Sequence, residues 1–137
     1  RYRTRDVTTL VSEPCACGRT LRRIKRIERR SDDMFIIRGV NVFPSQIETA
    51  LLRLKGTLPH YQIVLTREKG LDNLEVQVEV TPEVFSDKIR ALQDLHRALE
   101  DALEHVLGIR VGVTLAEPRT LARSEGKARR VLDQRNI

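Results

Sequence analysis

The sequence lacks tryptophan and has only 4% aromatic residues, so it offers few rings on which nucleic-acid bases could stack. Its two cysteines, Cys15 and Cys17, are one residue apart, a spacing at which thiols rarely bridge each other. No apolar run approaches the length of a membrane-spanning helix, and no charged-then-apolar leader is present. We therefore expect a cytoplasmic protein, in a reducing compartment, with no nucleic-acid partner and no membrane.

The composition indicates a folded domain with a preference for anions. The 137 residues are 40% hydrophobic, which is enough for one core of mostly aliphatic side chains. The net charge of +6 comes from 20 arginines and 5 lysines set against 19 acidic residues. Nucleotides, CoA and nucleic acids are all anionic partners, and charge alone does not separate them.

The stretch from Ser31 to Pro44 is typical of a short β-hairpin. An apolar run, Met34–Ile37, is followed by Arg38-Gly39 and by a second set of apolar residues that ends at Pro44. Gly39 suits the turn because glycine accepts a positive φ without a Cβ clash. Pro44 has no N–H to donate to a strand ladder, so the second strand must end there.

Two helices and three strands are predicted after the hairpin. Ser45 and Glu48 have the spacing of a capping box, and a helix of about three turns should run from there to Gly56. A longer helix is expected between Asp87 and Leu107, capped by Ser86, with one apolar face that lies across the sheet. Alternating residues predict the strands Tyr61–Thr66, Leu74–Val80 and Arg110–Leu115, with Glu75, Gln77 and Glu79 facing water.

Three stretches resemble, in order and spacing, motifs of the acyl-adenylate-forming enzymes, most closely those of the phenylacetate-CoA ligase group: Tyr2–Asp6, Ser31–Glu48 and Ser124–Lys127. The resemblance implies an α+β fold in which two helices pack on a small antiparallel or mixed sheet. Residues 1–31 would be the end of a large AMP-binding domain, and residues 32–137 the mobile C-terminal domain. The spacing within Arg19–Arg30 allows helix or strand, and the resemblance favours strand.

The resemblance also implies roles for five residues. Lys127 would contact the carboxylate and the α-phosphate during adenylate formation, and Asp6 and Arg30 would bind the ribose. Asp32 would be the hinge of the small domain, and Gly39 would let the pantetheine arm of CoA pass close to the backbone. Read without the resemblance, Lys127 is a solvated tail charge, Asp6 a surface acid, and Arg30 with Asp32 a charged turn.

The resemblance further implies the substrates and cofactors of a full-length parent enzyme. These are ATP with Mg²⁺, CoA and an aryl carboxylic acid, and this fragment alone should be inactive. Cys15 and Cys17 are read equally well as half of a structural zinc site and as buried free thiols.

Two interpretations from other classes compete with this one. A basic RNA-binding module would use the seven basic residues of Arg19–Arg30 as its electrostatic footprint. A regulatory or dimerisation module would self-associate, and a homodimer through the hairpin or the first 30 residues fits that interpretation.

Overall fold

The computed structural model describes residues 2–86, 89–122 and 130–135. The chain divides into two compact units, Arg1–Met34 and Phe35–Ile137. We describe each unit by itself.

The first unit consists of short antiparallel strand pairs. Its strands are β1 (Asp6–Val7), β2 (Leu10–Val11), β3 (Arg23–Ile24) and β4 (Arg29–Arg30), paired as β1 with β4 and β2 with β3. The strand preference for Arg19–Arg30 is confirmed, although each strand there has only two residues. Leu21 is 79% exposed, and Leu10 and Ile24 are also exposed, so these apolar side chains are not covered by the unit itself.

The second unit carries the helices and the main sheet. Its elements are β5 (Phe35–Ile37), β6 (Val40–Val42), α1 (Pro44–Leu51), β7 (Thr57–Glu68), β8 (Leu71–Val80), α2 (Pro82–Ser86), α3 (Ile89–Leu107), β9 (Gly112–Ala116) and β10 (Val131–Asp133). The hairpin β5–β6 is as predicted. The predicted α+β class is likewise confirmed.

The main sheet is mixed, in the order β10-β7-β8-β9. The two long central strands, β7 and β8, are antiparallel, whereas β9 runs parallel to β8 and β10 parallel to β7. Side chains of the central strands form the core with α1, α3 and the hairpin: Phe35, Ile37, Val42, Ile47, Leu51, Ile63, Leu65, Val76, Val78, Leu99 and Leu103. The two-helix layer of the prediction is therefore present, with the short α2 in addition.

The start of α1 differs from the predicted capping box. The helix begins at Pro44, with Phe43 as its N-cap, and the side-chain oxygen of Gln46 accepts the N–H of Phe43 at 3.0 Å. Proline suits the first turn because its missing N–H would have no partner there. Ser45 and Glu48 therefore do not form the cap. The helix also ends at Leu51, well before Gly56.

The predicted long helix is confirmed as α3, but its first turn is less buried than its sequence pattern suggests. Leu99, Leu103 and Leu107 are buried, whereas Ile89 is 76% exposed. The predicted start at Asp87 lies outside the described residues, and Ser86 is the last residue of α2.

No helix in the described part of the chain is both long enough and apolar enough to cross a bilayer.

Glu79 contradicts the expectation that alternate side chains of β8 face water. Its side chain is 0% exposed, and its carboxyl oxygen accepts the N–H of Leu121 at 3.0 Å. Glu75 and Gln77, on the same face, are only partly exposed. The alternating pattern predicted that these side chains are exposed to solvent, because it could not show that the segment after β9 contacts this face of β8.

We expect Glu79→Ala to lower the free energy of unfolding of the 137-residue chain by about 1–3 kcal/mol, because the partly buried N–H of Leu121 loses its acceptor. Urea unfolding measures the loss. Glu68→Ala, at the exposed end of β7, is the matched control and should change stability by less than about 0.5 kcal/mol. Equal losses in the two variants would contradict a structural role for Glu79.

Candidate functional site

The strand pair β1–β4 brings together two residues that are distant in sequence. Asp6 and Arg30 are direct partners in the antiparallel register, so their side chains leave the pair at neighbouring positions. Asp6 is partly buried, and its N–H approaches Thr4 Oγ1 at 3.4 Å. An acid and a guanidinium side by side offer an acceptor and several donors to one polar ligand.

Arg30 and Asp32 form a bidentate ion pair. Arg30 donates from Nε to Asp32 Oδ1 at 3.0 Å and from NH2 to Asp32 Oδ2 at 2.9 Å. This hydrogen-bonded guanidinium lowers the pKa of Asp32 to about 2, and the same pairing raises the pKa of Arg30. The pair uses the Nε and NH2 donors of Arg30 and leaves those of NH1 outside it.

Arg5 precedes Asp6 with a backbone conformation that glycine adopts easily. Its φ is 65°, and its carbonyl accepts the N–H of Ser31 at 2.7 Å and the Ser31 hydroxyl at 3.1 Å. Its guanidinium also lies 3.6 Å from Asp32 Oδ2. This left-handed conformation is one that glycine adopts without a Cβ clash and that a residue with a side chain adopts at some cost.

The turn of the hairpin β5–β6 is formed by Arg38 and Gly39. Both have positive φ, 50° and 81°, as a two-residue type I′ turn requires. A Cβ on Gly39 would meet nothing within 4 Å, so glycine is needed here for its backbone conformation and not for space inside the protein. The exposed turn therefore leaves room beside its backbone for an external group.

A group of charged residues surrounds this hairpin. Arg38 donates to the Asp72 carbonyl at 3.1 Å and to Asn73 Oδ1 at 2.7 Å. Asp72 pairs with Arg67 at 2.7 Å and with Arg135 at 3.0 Å. These hydrogen bonds, that of Arg67 first, lower the pKa of the Asp72 carboxyl.

Arg130 fixes the start of β10 to the rest of the second unit. Its guanidinium pairs with Glu48, donates to the Tyr61 hydroxyl at 2.9 Å and lies 4.6 Å from the centre of the Tyr61 ring. Burial raises the pKa of Tyr61. Lys127, the predicted catalytic residue, lies outside the described residues, three positions before this anchor.

Cys15 and Cys17 are free thiols with their sulfur atoms 3.0 Å apart. Cys15 is half-buried and Cys17 is exposed, so the expectation of buried thiols is wrong. The hydrogen bond from Cys15 lowers the pKa of Cys17. Across residues 2–86, 89–122 and 130–135, no group of three or more potential metal ligands occurs. This part of the chain therefore provides at most two ligands of the predicted zinc site.

Sequence reasoning missed the arginines that organise these groups. The sequence assigned no partners to Arg38, Arg130 and Arg135, because the groups that they contact are distant in the sequence. One local signal was available for Arg38: an arginine before glycine between two apolar runs marks a tight turn. Nothing local indicates the partners of Arg130 and Arg135.

Comparison with known proteins gives one family for most of the second unit. The profile described as AMP-binding enzyme C-terminal domain matches residues 39–135. A phenylacetate-coenzyme A ligase of Thermus thermophilus is 45% identical over 148 residues, which is 98% of this chain and 33% of the relative. The phenylacetate-coenzyme A ligase of Escherichia coli is 42% identical over all of this chain and 31% of its own length. The chain thus spans about a third of these curated relatives.

A solved structure agrees with the sequence comparison. A 2-hydroxyisobutyryl-CoA ligase in the postadenylation state, in complex with R3-HIB-AMP, matches with a TM-score of 0.81 and 38% identity over 95% of this chain and 28% of that chain. The same ligase in complex with 2-HIB-AMP and CoA, in the thioesterification state, matches with a TM-score of 0.72, 38% identity and 97% and 28% coverage.

We expect Arg30→Gln to raise the pKa of Asp32 from about 2 toward the ordinary carboxyl value of about 3.9, because the partner cation is lost. The wild-type carboxyl has a folded pKa below its unfolded one. The stabilisation from the pair is therefore present above about pH 4 and is lost as the pH falls toward about 2. NMR titration of the Asp32 carboxyl carbon measures the shift.

Arg26→Gln is the control for this titration, since Arg26 is an exposed arginine of the same basic stretch. It should leave the pKa of Asp32 unchanged. The assignment of the low pKa to Arg30 is wrong if both variants give the same titration curve as the wild type.

Proposed function

Because the chain belongs to the AMP-binding enzyme C-terminal domain family, we propose that it is the C-terminal part of an ATP-dependent aryl-acid CoA ligase. Phenylacetate is the acid that we assign, from the names of the curated relatives. Residues 1–31 are then the end of the large AMP-binding domain, and residues 32–137 are the mobile small domain. The family does not favour the alternative of a basic RNA-binding or regulatory module.

The proposed reaction has two steps. In the first, a carboxylate oxygen of the acid attacks the α-phosphorus of ATP, the bond to the β,γ-diphosphate breaks, and pyrophosphate leaves. In the second, the thiol sulfur of CoA attacks the acyl carbon, AMP leaves, and the thiol proton is released. Mg²⁺ accompanies ATP in this proposal, and we assign no residue of this chain to it.

One observation carries the nucleotide assignment: Asp6 and Arg30 are cross-strand partners, and Arg30 is also bound to Asp32. A ribose presents two neighbouring hydroxyls. A carboxylate can accept hydrogen bonds from both of them, and an arginine side chain can donate to their oxygen atoms. Asp6 and Arg30 would hold the ribose in both steps. The NH1 donors of Arg30, which lie outside the pair with Asp32, are available for this contact.

Asp32 is our proposed hinge between the two steps. It lies close to the division between the two compact units, after which the next unit begins at Phe35. A hinge needs a few residues that absorb a change in φ and ψ, and aspartate tolerates unusual backbone conformations. The bidentate pair with Arg30 would define one of the two hinge positions.

Gly39 and Lys127 would then serve different steps. The exposed turn at Gly39 has open space at its Cα, which suits the close passage of the pantetheine arm. Lys127 would supply a positive charge between the carboxylate and the α-phosphate as the first step proceeds. A fixed cation at such a position is typically worth about 10²- to 10³-fold in rate.

The proposed enzyme acts only as the full-length parent, since the chain spans about a third of its curated relatives. We place it in the cytoplasm, where both of its cysteines would stay reduced. The named states of the 2-hydroxyisobutyryl-CoA ligase, postadenylation and thioesterification, support a two-step reaction of this kind.

We expect Lys127→Ala in the full-length parent to lower phenylacetate-dependent pyrophosphate exchange by about 10²- to 10³-fold, because the first step loses its cation. Thioester formation from supplied phenylacetyl-adenylate and CoA should stay close to the wild-type rate. The two half-reactions are measured separately on the same preparations.

Lys55→Ala is the matched control, because Lys55 is an exposed lysine of the same domain, and both rates should be unchanged. Wild-type rates of both steps in Lys127→Ala would make Lys127 a solvated charge and remove the lysine from the proposal. Loss of both steps together would argue against separate roles.

We also propose that Cys15 and Cys17 supply two of four ligands of a structural zinc ion. The two thiols lie on one short turn with their sulfur atoms 3.0 Å apart. Zinc–sulfur bonds of about 2.3 Å at tetrahedral angles place two thiolates about 3.8 Å apart, so the thiols would have to separate by about 0.8 Å to bind one ion. The remaining two ligands would come from the preceding part of the parent. The competing interpretation is a pair of free thiols without metal.

Metal analysis of the full-length parent tests the zinc proposal. We expect about one zinc per chain in the wild type and none in the double variant Cys15→Ser/Cys17→Ser, because a tetrahedral site with two ligands removed no longer holds the ion. A wild-type parent without zinc would support the free-thiol interpretation.

A further inference from the structure

The hairpin β5–β6 is too small to fix its own position. Each strand has three residues, and a two-stranded hairpin of this size is marginal in isolation. Phe35, Ile37 and Val42 are buried and attach its base to the core, but the turn at Arg38 and Gly39 is exposed. Polar contacts must therefore hold the turn.

Arg38 ties the turn to the start of β8. Its side chain donates to the Asp72 carbonyl and to the side-chain oxygen of Asn73. The φ of 50° at Arg38 is uncommon for a residue with a side chain, so the backbone conformation at this position is unfavourable in free energy. A residue such as asparagine would form the turn with less strain but could not reach Asp72.

Arg135 ties the other side of the hairpin to the same acid. Its NH1 donates to Asp72 Oδ2 at 3.0 Å and to the carbonyl of Ile36 at 3.3 Å, while its NH2 pairs with Asp133 at 2.7 Å. The side chains of Arg135 and Asp72 are only 11% and 15% exposed. Asp72 thus joins both arginines that hold the hairpin.

Stability alone gives little reason for such an arrangement. Removing two charges from water costs about as much as their attraction returns, and apolar residues of similar size often stabilise a fold equally well. What the paired charges provide is a fixed geometry, since bidentate and charge-assisted hydrogen bonds tolerate little displacement. The element that they fix is the turn at Gly39.

We propose that Arg38, Asp72 and Arg135 form a clamp that positions the Gly39 turn for the thioester-forming step and does not act on adenylate formation. The inference rests on the proposed function, in which this turn meets CoA. The three residues are positioning residues, since they act through the backbone of the hairpin. A displacement of about 1 Å at a reacting site can lower a rate by up to about 10²-fold.

Arg38→Asn in the full-length parent is the sharpest test. Asparagine before glycine is a preferred type I′ turn, so the hairpin itself keeps its turn while its tie to β8 is lost. We expect thioester formation from supplied phenylacetyl-adenylate to fall about 10-fold, with pyrophosphate exchange within about twofold of the wild type. The thermal unfolding midpoint should stay at the wild-type value.

Lys69→Asn is the matched control. Lys69 also precedes a glycine, has a φ of 49° in the two-residue turn between β7 and β8, and is exposed. It loses the same charge in the same backbone geometry, and both half-reactions should be unchanged. The second test variant, Asp72→Asn, removes the ion pairs with Arg67 and Arg135 and should lower thioester formation in the same selective way.

Three results would overturn the inference. Thioester formation at the wild-type rate in Arg38→Asn and Asp72→Asn would show that the clamp does not act on the second step. Equal losses in both half-reactions, with a lower unfolding midpoint, would show a purely structural role. A wild-type parent that forms no adenylate from phenylacetate overturns the proposed function itself, together with the clamp's role in it, before any variant is compared.

Discussion

The antiparallel pairing of β7 with β8 is the interaction on which the second unit depends. These two long strands provide the buried face that α1 and α3 cover. At the outer edges, β10 pairs in parallel with β7, and β9 pairs in parallel with β8. Parallel neighbours require the chain to return over the sheet each time. The helices α2 and α3 make this connection between β8 and β9. The segment after β9 contacts β8 at Glu79, whose buried carboxyl accepts the N–H of Leu121.

The same strand pair also organises the candidate functional groups. At the start of β8, the carbonyl of Asp72 accepts a hydrogen bond from Arg38 of the hairpin, and its carboxylate pairs with Arg135 from the chain after β10. The hydroxyl of Tyr61, in β7, accepts a hydrogen bond from Arg130, the residue before β10. The turn at Gly39, through Arg38, and Arg130 are therefore both attached to the β7–β8 pair. Such support is what precise positioning of reacting groups requires.

The group proposed to bind the nucleotide follows a different principle. Asp6 and Arg30 lie on two-residue strands and Asp32 lies in the turn after β4, so hydrogen bonds and charge define their arrangement more than packing does. Arg5, in a left-handed conformation beside them, accepts both polar hydrogens of Ser31. The first unit, Arg1–Met34, has ten basic and five acidic residues among its 34 and so carries five of the six net positive charges of the chain. This charge suits an anionic ligand.

Local sequence patterns determined the hairpin, the mixed α+β class and the apolar face of α3, because these follow from residue spacing and turn chemistry over a few positions. They also placed Asp6, Arg30, Asp32 and Gly39 in recognisable motifs. Only the tertiary structure decided that Glu79 is buried and that Arg38 and Arg135 meet at Asp72. The physical reason is that burial and charge pairing depend on which distant segments pack against a strand. An alternating pattern within the strand contains no information about those segments.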